Sequence, residues 1–405
     1  METNQHFSTQ HRKFKKTALR LMAGVTFVLL LPQVNAAEIA KEAEVAKETT
    51  SAKEAAFTKE ITVAAGVEHD SNPNMVKRNQ EPVWIYTIAP QLHLGASNEA
   101  NLWYLDAGLL VQRPSNEKVL TNREDPRLAV GWDRTYESGL FGIKADYLET
   151  SSRAAELKST GVFSKADNTE RIRILSARWL HAIDPRWSVL TEGAYNNITF
   201  SLPGSFQNYK LEDIRSKLSY ANSEKLNTNI QLSYSHLRPD SNLDNTSLVR
   251  LVMGADYQVN EGFKIAPRAG IYNLSGRQSD TDWEAGIKAE YTAERMNYRA
   301  EVSRDLTVSG VGGFQKSDSF ILGWLFNINE RDRLGAEYGL NKSKKDREVN
   351  LNSLDYQQVS AFYERNLSNY WKTRFSAAYK EQDVSGTRSQ GNVIGVSLTY
   401  DTLSF

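Results

Sequence analysis

Histidine is the side chain best suited to acid–base or metal chemistry near neutral pH, and this sequence has six: His6, His11, His69, His93, His181 and His236. A metal or proton-transfer site needs such groups to converge, which in sequence shows as short spacings such as H-x-x-x-H. No such spacing occurs. There is no cysteine, which excludes disulfides, thiolate nucleophiles, thiolate metal sites and a cysteine-linked lipid anchor. A nucleophile elbow of the G-x-S-x-G kind and a phosphate-cradling glycine loop are also missing. His93 is the first suspect for catalysis, but a lone histidine on a polar strand face reads better as a wet hydrogen-bonding group. The chain is therefore read as a non-enzyme without cofactor or metal.

The remaining chemistry is charge. The chain carries 49 basic and 49 acidic residues. Five of the basic ones (Arg12, Lys13, Lys15, Lys16 and Arg20) and one acid (Glu2) fall in residues 1–36, so the remainder is slightly acidic. That balance does not favour a nucleic-acid partner. Lys372, Arg374 and Lys380 make a purely basic row on one face of segment 369–382. Arg215, Lys217, Lys264 and Arg268 add to it from segments 208–222 and 262–275. These seven are the candidate pore-lining residues. Two explanations stay open for them: guidance of anions, or pairing with acids on neighbouring strands that stabilises the wall.

Alternation decides what positions these charges. In Leu226–Tyr234, Leu226, Ile230, Leu232 and Tyr234 share one face, and Asn227, Asn229, Gln231 and Ser233 share the other. Trp283 to Tyr291, Trp371 to Tyr379 and Phe141 to Tyr147 repeat the pattern. A helix of period 3.6 cannot separate these sets; a strand does. About 18 such segments run from residue 60 to the end, with short turns and longer polar loops alternating between them. The pattern predicts an all-β fold, a transmembrane antiparallel up-and-down β-barrel over 59–405. Trp103, Trp132, Trp179, Trp187 and Trp371 fall at one rim of it, and Trp84 and Trp283 at the other. The polar interior explains a mean hydropathy of −0.52 in a chain that meets lipid. Parity reverses between Tyr400 and Leu403, so either a bulge falls at Asp401 or Thr402 before the aromatic end, Phe405, or the last residues lie outside the strand.

The first 36 residues read as a cleaved signal peptide. A basic stretch precedes the apolar run Leu21–Leu31, then Pro32, then Val34-Asn35-Ala36. Residues 37–58, rich in Ala, Glu and Lys, read as a periplasmic extension. Secretion and a barrel together place the chain in the bacterial outer membrane. Its expected partners there are lipid and the machinery that assembles outer-membrane barrels.

One further pattern carries a family resemblance. Gly66-Val67-Glu68-His69-Asp70-Ser71-Asn72-Pro73 leads a strand into a turn, and Ile85-Tyr86-Thr87-Ile88-Ala89-Pro90-Gln91-Leu92 follows. This hairpin resembles the outer-membrane β-barrel porins associated with exopolysaccharide synthesis and export systems. The resemblance implies a channel serving as a conduit for polysaccharide, with polysaccharide or periplasmic export components as partners. Asp70 and Asn72, read from the residues alone, are turn formers whose short polar side chains bind backbone amides. Two other functions fit the same barrel: a general or anion-preferring diffusion porin, and a structural or assembly barrel that docks periplasmic partners.

Overall fold

The computed structural model describes residues 56–402, apart from 161–166, 203–205, 241–243, 277–278, 311–312, 344–353 and 385. The expected signal segment, residues 37–55 and Leu403–Phe405 lie outside the described residues. In chain order the strands are β1 (Ala56–Asp70), β2 (Val83–Asn98), β3 (Asn101–Pro114), β4 (Arg123–Tyr136), β5 (Gly139–Ser151) and β6 (Thr169–Ala182). Then come β7 (Trp187–Phe200), β8 (Tyr209–Ala221), β9 (Leu226–Pro239), β10 (Thr246–Gln258), β11 (Phe263–Gly276) and β12 (Asp280–Thr292). The last six are β13 (Met296–Ser309), β14 (Gly313–Asn327), β15 (Asp332–Ser343), β16 (Leu354–Asn366), β17 (Trp371–Val384) and β18 (Thr387–Asp401). A helix, α1 (Ser152–Thr160), stands between β5 and β6.

Each strand pairs antiparallel with its sequence neighbours, and β1 also pairs with β18, so the 18-stranded sheet closes on itself. Closure leaves no edge strand with unpaired amides, a condition hydrocarbon imposes. Connections at one end of the barrel are all short turns, whereas the other end carries the longer loops, such as 71–82, 115–122 and 152–168, beside three short ones. β1 starts earlier than the alternation indicated: Ala56, Phe57 and Thr58 already pair with Ser97, Ala96 and Gly95. The register of β18 against β1 runs without a bulge to the pair Thr62–Asp401, the last residue of the strand. Thr402 continues it, its amide donating to the Ile61 carbonyl at 2.9 Å.

Pleating assigns every residue to one wall surface. Leu232, Met253, Ile271, Leu175 and Ile394 point outward and are exposed, forming an apolar belt. Aromatic residues rim it at the turn end. Trp103 stacks on Trp132 at 5.4 Å, Trp187 meets Tyr220 at 4.5 Å, and Trp371 meets Tyr400 at 5.0 Å. Trp84 and Trp283 sit towards the loop end, where Trp84 contacts His69 at 4.7 Å. An exposed apolar belt with aromatic rims is what a wall in contact with lipid presents.

Ile230 faces outward and its neighbour Asn229 inward, pairing with Met253 and Gly254 of β10 respectively. Ile230→Arg is expected to destabilise the barrel by ~2–4 kcal/mol, whereas Asn229→Arg is tolerated. Heat-modifiability on gels checks this; equal damage from both would contradict the facing.

Candidate functional site: the constricted lumen

All seven expected pore-lining cations lie on inward positions, and most have an acid within reach. Arg215 donates to Glu192 at 2.6 Å, and Arg268 binds both carboxylate oxygens of Asp305, at 2.7 and 2.9 Å. Lys264 lies 3.6 Å from Asp256. Lys217, on the same strand as Arg215, also points inward. The row on β17 is not the free basic strip its sequence presents. Lys372 binds Asp401 at 2.9 Å across to β18. Arg374 lies over the Phe362 ring, its guanidinium carbon 3.7 Å from the centroid. Lys380 is buried and binds Asp70. Sequence shows one strand at a time, and each partner comes from another strand.

Asp70 and Asn72 form the turn corner that their types indicated, and they do more. The Asn72 amide donates to Asp70 Oδ1 at 3.0 Å, and Asn72 Oδ1 accepts from the Val76 amide at 3.0 Å. Asn72 Nδ2 donates to the carbonyls of Val76 and Gln390, each at 2.8 Å. With Lys380 on Asp70, the corner ties the β1–β2 loop to the β17–β18 hairpin beside the seam. His93 faces the lumen, as its parity requires, and its Nδ1 lies 2.6 Å from Asp106 Oδ1. His69, His181 and His236 stand on other strands, and among the described residues no cluster of metal-ligating type occurs.

The lumen also holds what the sequence analysis missed. Near the loop end, the inward positions of β5 to β11 are apolar. Leu148, Ile172, Ile198, Tyr209, Leu237, Leu248 and Leu274 make a continuous row, linked by registers such as Leu148–Ile172, Ile172–Ile198 and Ile198–Tyr209. Such a row cannot remain against water. The tip of the β13–β14 hairpin covers it. β13 pairs with β12 only from Thr292–Asn297 to Ala285–Arg304, but stays paired with β14 as far as Ser309–Gly313. Freed from β12, the tip lies across the inner wall. Leu306 and Phe314 are buried in the apolar row, with Val308 beside them. Arg250 donates to the Leu306 carbonyl, and Lys316 reaches Asp282 at 2.7 Å.

Helix α1 holds the tip from the opposite side of the ring. Ser151 starts it, its hydroxyl accepting from the Ala154 amide at 3.3 Å in the manner of an N-cap. The Ser152 amide donates to the Asn168 carbonyl at 2.8 Å, and the Asn168 amide donates to the Ser152 hydroxyl at 2.9 Å, which closes the loop base. Arg153 donates to the Pro73 carbonyl at 3.3 Å. Glu156 is the clasp: it accepts from Ser309 Oγ, from the Gly310 amide at 2.8 Å and from Thr160 Oγ1 at 3.0 Å. Gln207, from the β7–β8 loop, donates to the Gly310 carbonyl at 2.9 Å. A Cβ at Gly310 would stand 2.8 Å from Phe206, so only glycine fits under the Phe200–Phe206 stack. Helix, loop and hairpin tip together narrow the loop end of the bore.

No protein-family model matches the sequence, and no curated protein matches it. Solved structures match in shape. Acinetobacter baumannii OccAB4 is similar with a TM-score of 0.51 at 8% identity, over 88% of this chain and 100% of that one. The outer membrane protein OpdK from Pseudomonas aeruginosa gives 0.50 at 10% identity, over 86% and 99%. The likeness is one of fold. It gives no support to the exopolysaccharide association that the first hairpin's resemblance implies.

Two outcomes follow from this geometry. Lys380→Gln leaves Asp70 buried without its cation and should lower stability by ~3–5 kcal/mol. Lys372→Gln, at a half-exposed pair, should cost ~1 kcal/mol or less. Urea titration of unfolding separates the two, and equal midpoints would contradict the difference in burial. Burial also pushes the Glu156 carboxyl up from its ordinary range. The docked state then holds the proton more tightly than a solvated, undocked state. Docking is therefore favoured as pH falls through the raised value and weakened above it. Bilayer conductance should rise with pH, and Glu156→Gln should flatten that rise; an unchanged slope would dissociate the clasp from the bore.

Proposed function

We propose that the chain is a passive outer-membrane channel for small hydrophilic solutes, its cut-off set by the β13–β14 tip and α1. The observation that carries this reading is the inward-folded tip, anchored by buried Leu306 and Phe314 in a lumen that is otherwise polar and charged. A water-filled barrel with such a narrowing passes small molecules and holds back large ones. A polysaccharide conduit needs an unobstructed bore, and the anchored tip argues against it. Ion pairing within the wall argues for weak charge selectivity, because each paired cation presents little net field to a passing ion. The reading includes export through the signal segment 1–36, cleavage after Ala36 and insertion by the barrel-assembly machinery.

Liposome swelling is the test. Wild-type protein should admit a pentose or hexose readily and a trisaccharide slowly. Replacing residues 306–316 with Asn-Gly, the dipeptide of tight hairpin turns, closes the pair Asp305–Ser317 in register and should raise trisaccharide entry several-fold while the barrel stays heat-modifiable. A wild-type protein that admits no sugar and conducts no ions would overturn the channel reading.

A further inference from the structure

We infer that the outward groove across β4 to β7 is a binding site for a phosphorylated, acylated lipid of lipid A type, with an acyl chain in the groove and a phosphate on Arg173. The groove has a volume of about 380 Å³ and is walled by Leu128, Val130, Ala145, Leu175 and Tyr195. That is the scale of a small-ligand pocket, on a surface that otherwise meets lipid. Arg173 forms its rim and is exposed.

Depth makes this arginine unusual. Trp179 marks the turn-end aromatic rim on β6, and Arg173 lies six positions further along the same outward face. At ~3.3 Å per residue and a tilt near 40°, that is a rise of ~15 Å, within an apolar band ~25 Å tall. On β2 the outward face stays apolar or aromatic from Leu94 to Trp84. An unpaired guanidinium at this level is costly, so it calls for an anion.

The protein does not supply one. Among the described residues Arg173 makes no side-chain hydrogen bond or ion pair. The nearby acid Glu149 is occupied by Arg171 at 3.2 Å and by the Tyr147 hydroxyl. Nor does the lumen offer an exit, because both flanking inward positions, Ile172 and Ile174, belong to the filled apolar row. The register places Tyr147 on one side of Arg173 and Asn197 on the other. The Asn197 amide is a second donor at the same height. A guanidinium and an amide above an apolar slot match a phosphate above an acyl chain. A free anion would use the rim and leave the slot unfilled.

Native mass spectrometry of the detergent-solubilised barrel provides the test, with bisphosphorylated lipid A and its dephosphorylated form as probes. Wild-type protein should bind the phosphorylated form about tenfold more tightly, the value of one charge-assisted contact. Arg173→Gln should abolish that preference. Ala145→Phe, which fills the slot, should weaken both forms while the variant stays folded on gels. Millimolar inorganic phosphate should not displace the lipid. Equal preference in wild type and Arg173→Gln would overturn the site, and so would displacement by phosphate alone. Sugar permeation is unaffected in either variant, so this result stands apart from the channel reading.

Discussion

Closure of the sheet is the constraint on which everything else in this protein rests. Once β1 pairs with both β2 and β18, every strand in the wall has a neighbour on each side and none can slip against it freely. Each side chain is then committed to lipid or to lumen. The outward set must be apolar and the inward set must tolerate water, and both follow from the same two-residue period. A residue whose chemistry disagrees with its side becomes a statement about what lies there. Leu237 and Leu248 face inward and are apolar, so something dry must cover them. Arg173 faces outward and is charged, so something anionic belongs beside it.

The same commitment organises the lumen. Cations on inward positions stand beside acids because adjacent strands are ~4.8 Å apart, within reach of a long side chain. Arg215 on Glu192, Lys264 on Asp256 and Lys372 on Asp401 are the result, and Arg268 reaches one strand further, past β12 to Asp305. These pairs stiffen the wall and leave little unbalanced field along the bore. In the proposed channel the restriction on passage is steric. A hairpin with Leu306 and Val308 on one side and Thr307 on the other repeats the wall's alternation and so can lie on a second apolar surface. Glu156 fixes its tip from across the ring, accepting from the Gly310 amide.

Much of this was legible in the sequence. Strand order, antiparallel pairing, closure and the wall faces follow from alternation and from the rhythm of turns and loops. The aromatic rim follows from Trp103, Trp132, Trp179, Trp187 and Trp371. The ion pairs were not legible, because register decides them and register is a property of two strands. Composition alone places Ala56–Thr58 in the Ala/Glu/Lys-rich extension, whereas pairing with β2 continues through them. The inward tip left a signal that went unread. Ile172, Ile198, Leu237 and Leu248 carry lumen parity near the loop ends, where polar residues are the rule. Four such exceptions on consecutive or near-consecutive strands mark a second buried surface. The helix that clasps the tip had no signal, since Ser152–Thr160 has no apolar face of its own and is held by polar contacts.

Whether the tip lies docked on the inner wall is the central claim, and amide hydrogen exchange in lipid or detergent measures it directly. Residues 305–310 have lost their β12 neighbour, so only docking shields that side from water. The account predicts exchange at Leu306 to Ser309 nearly as slow as at Ala300 to Arg304, where β13 is paired on both sides. Exchange as fast as in the loop 115–122 would mean that the tip swings free in the lumen, and the constriction would not exist.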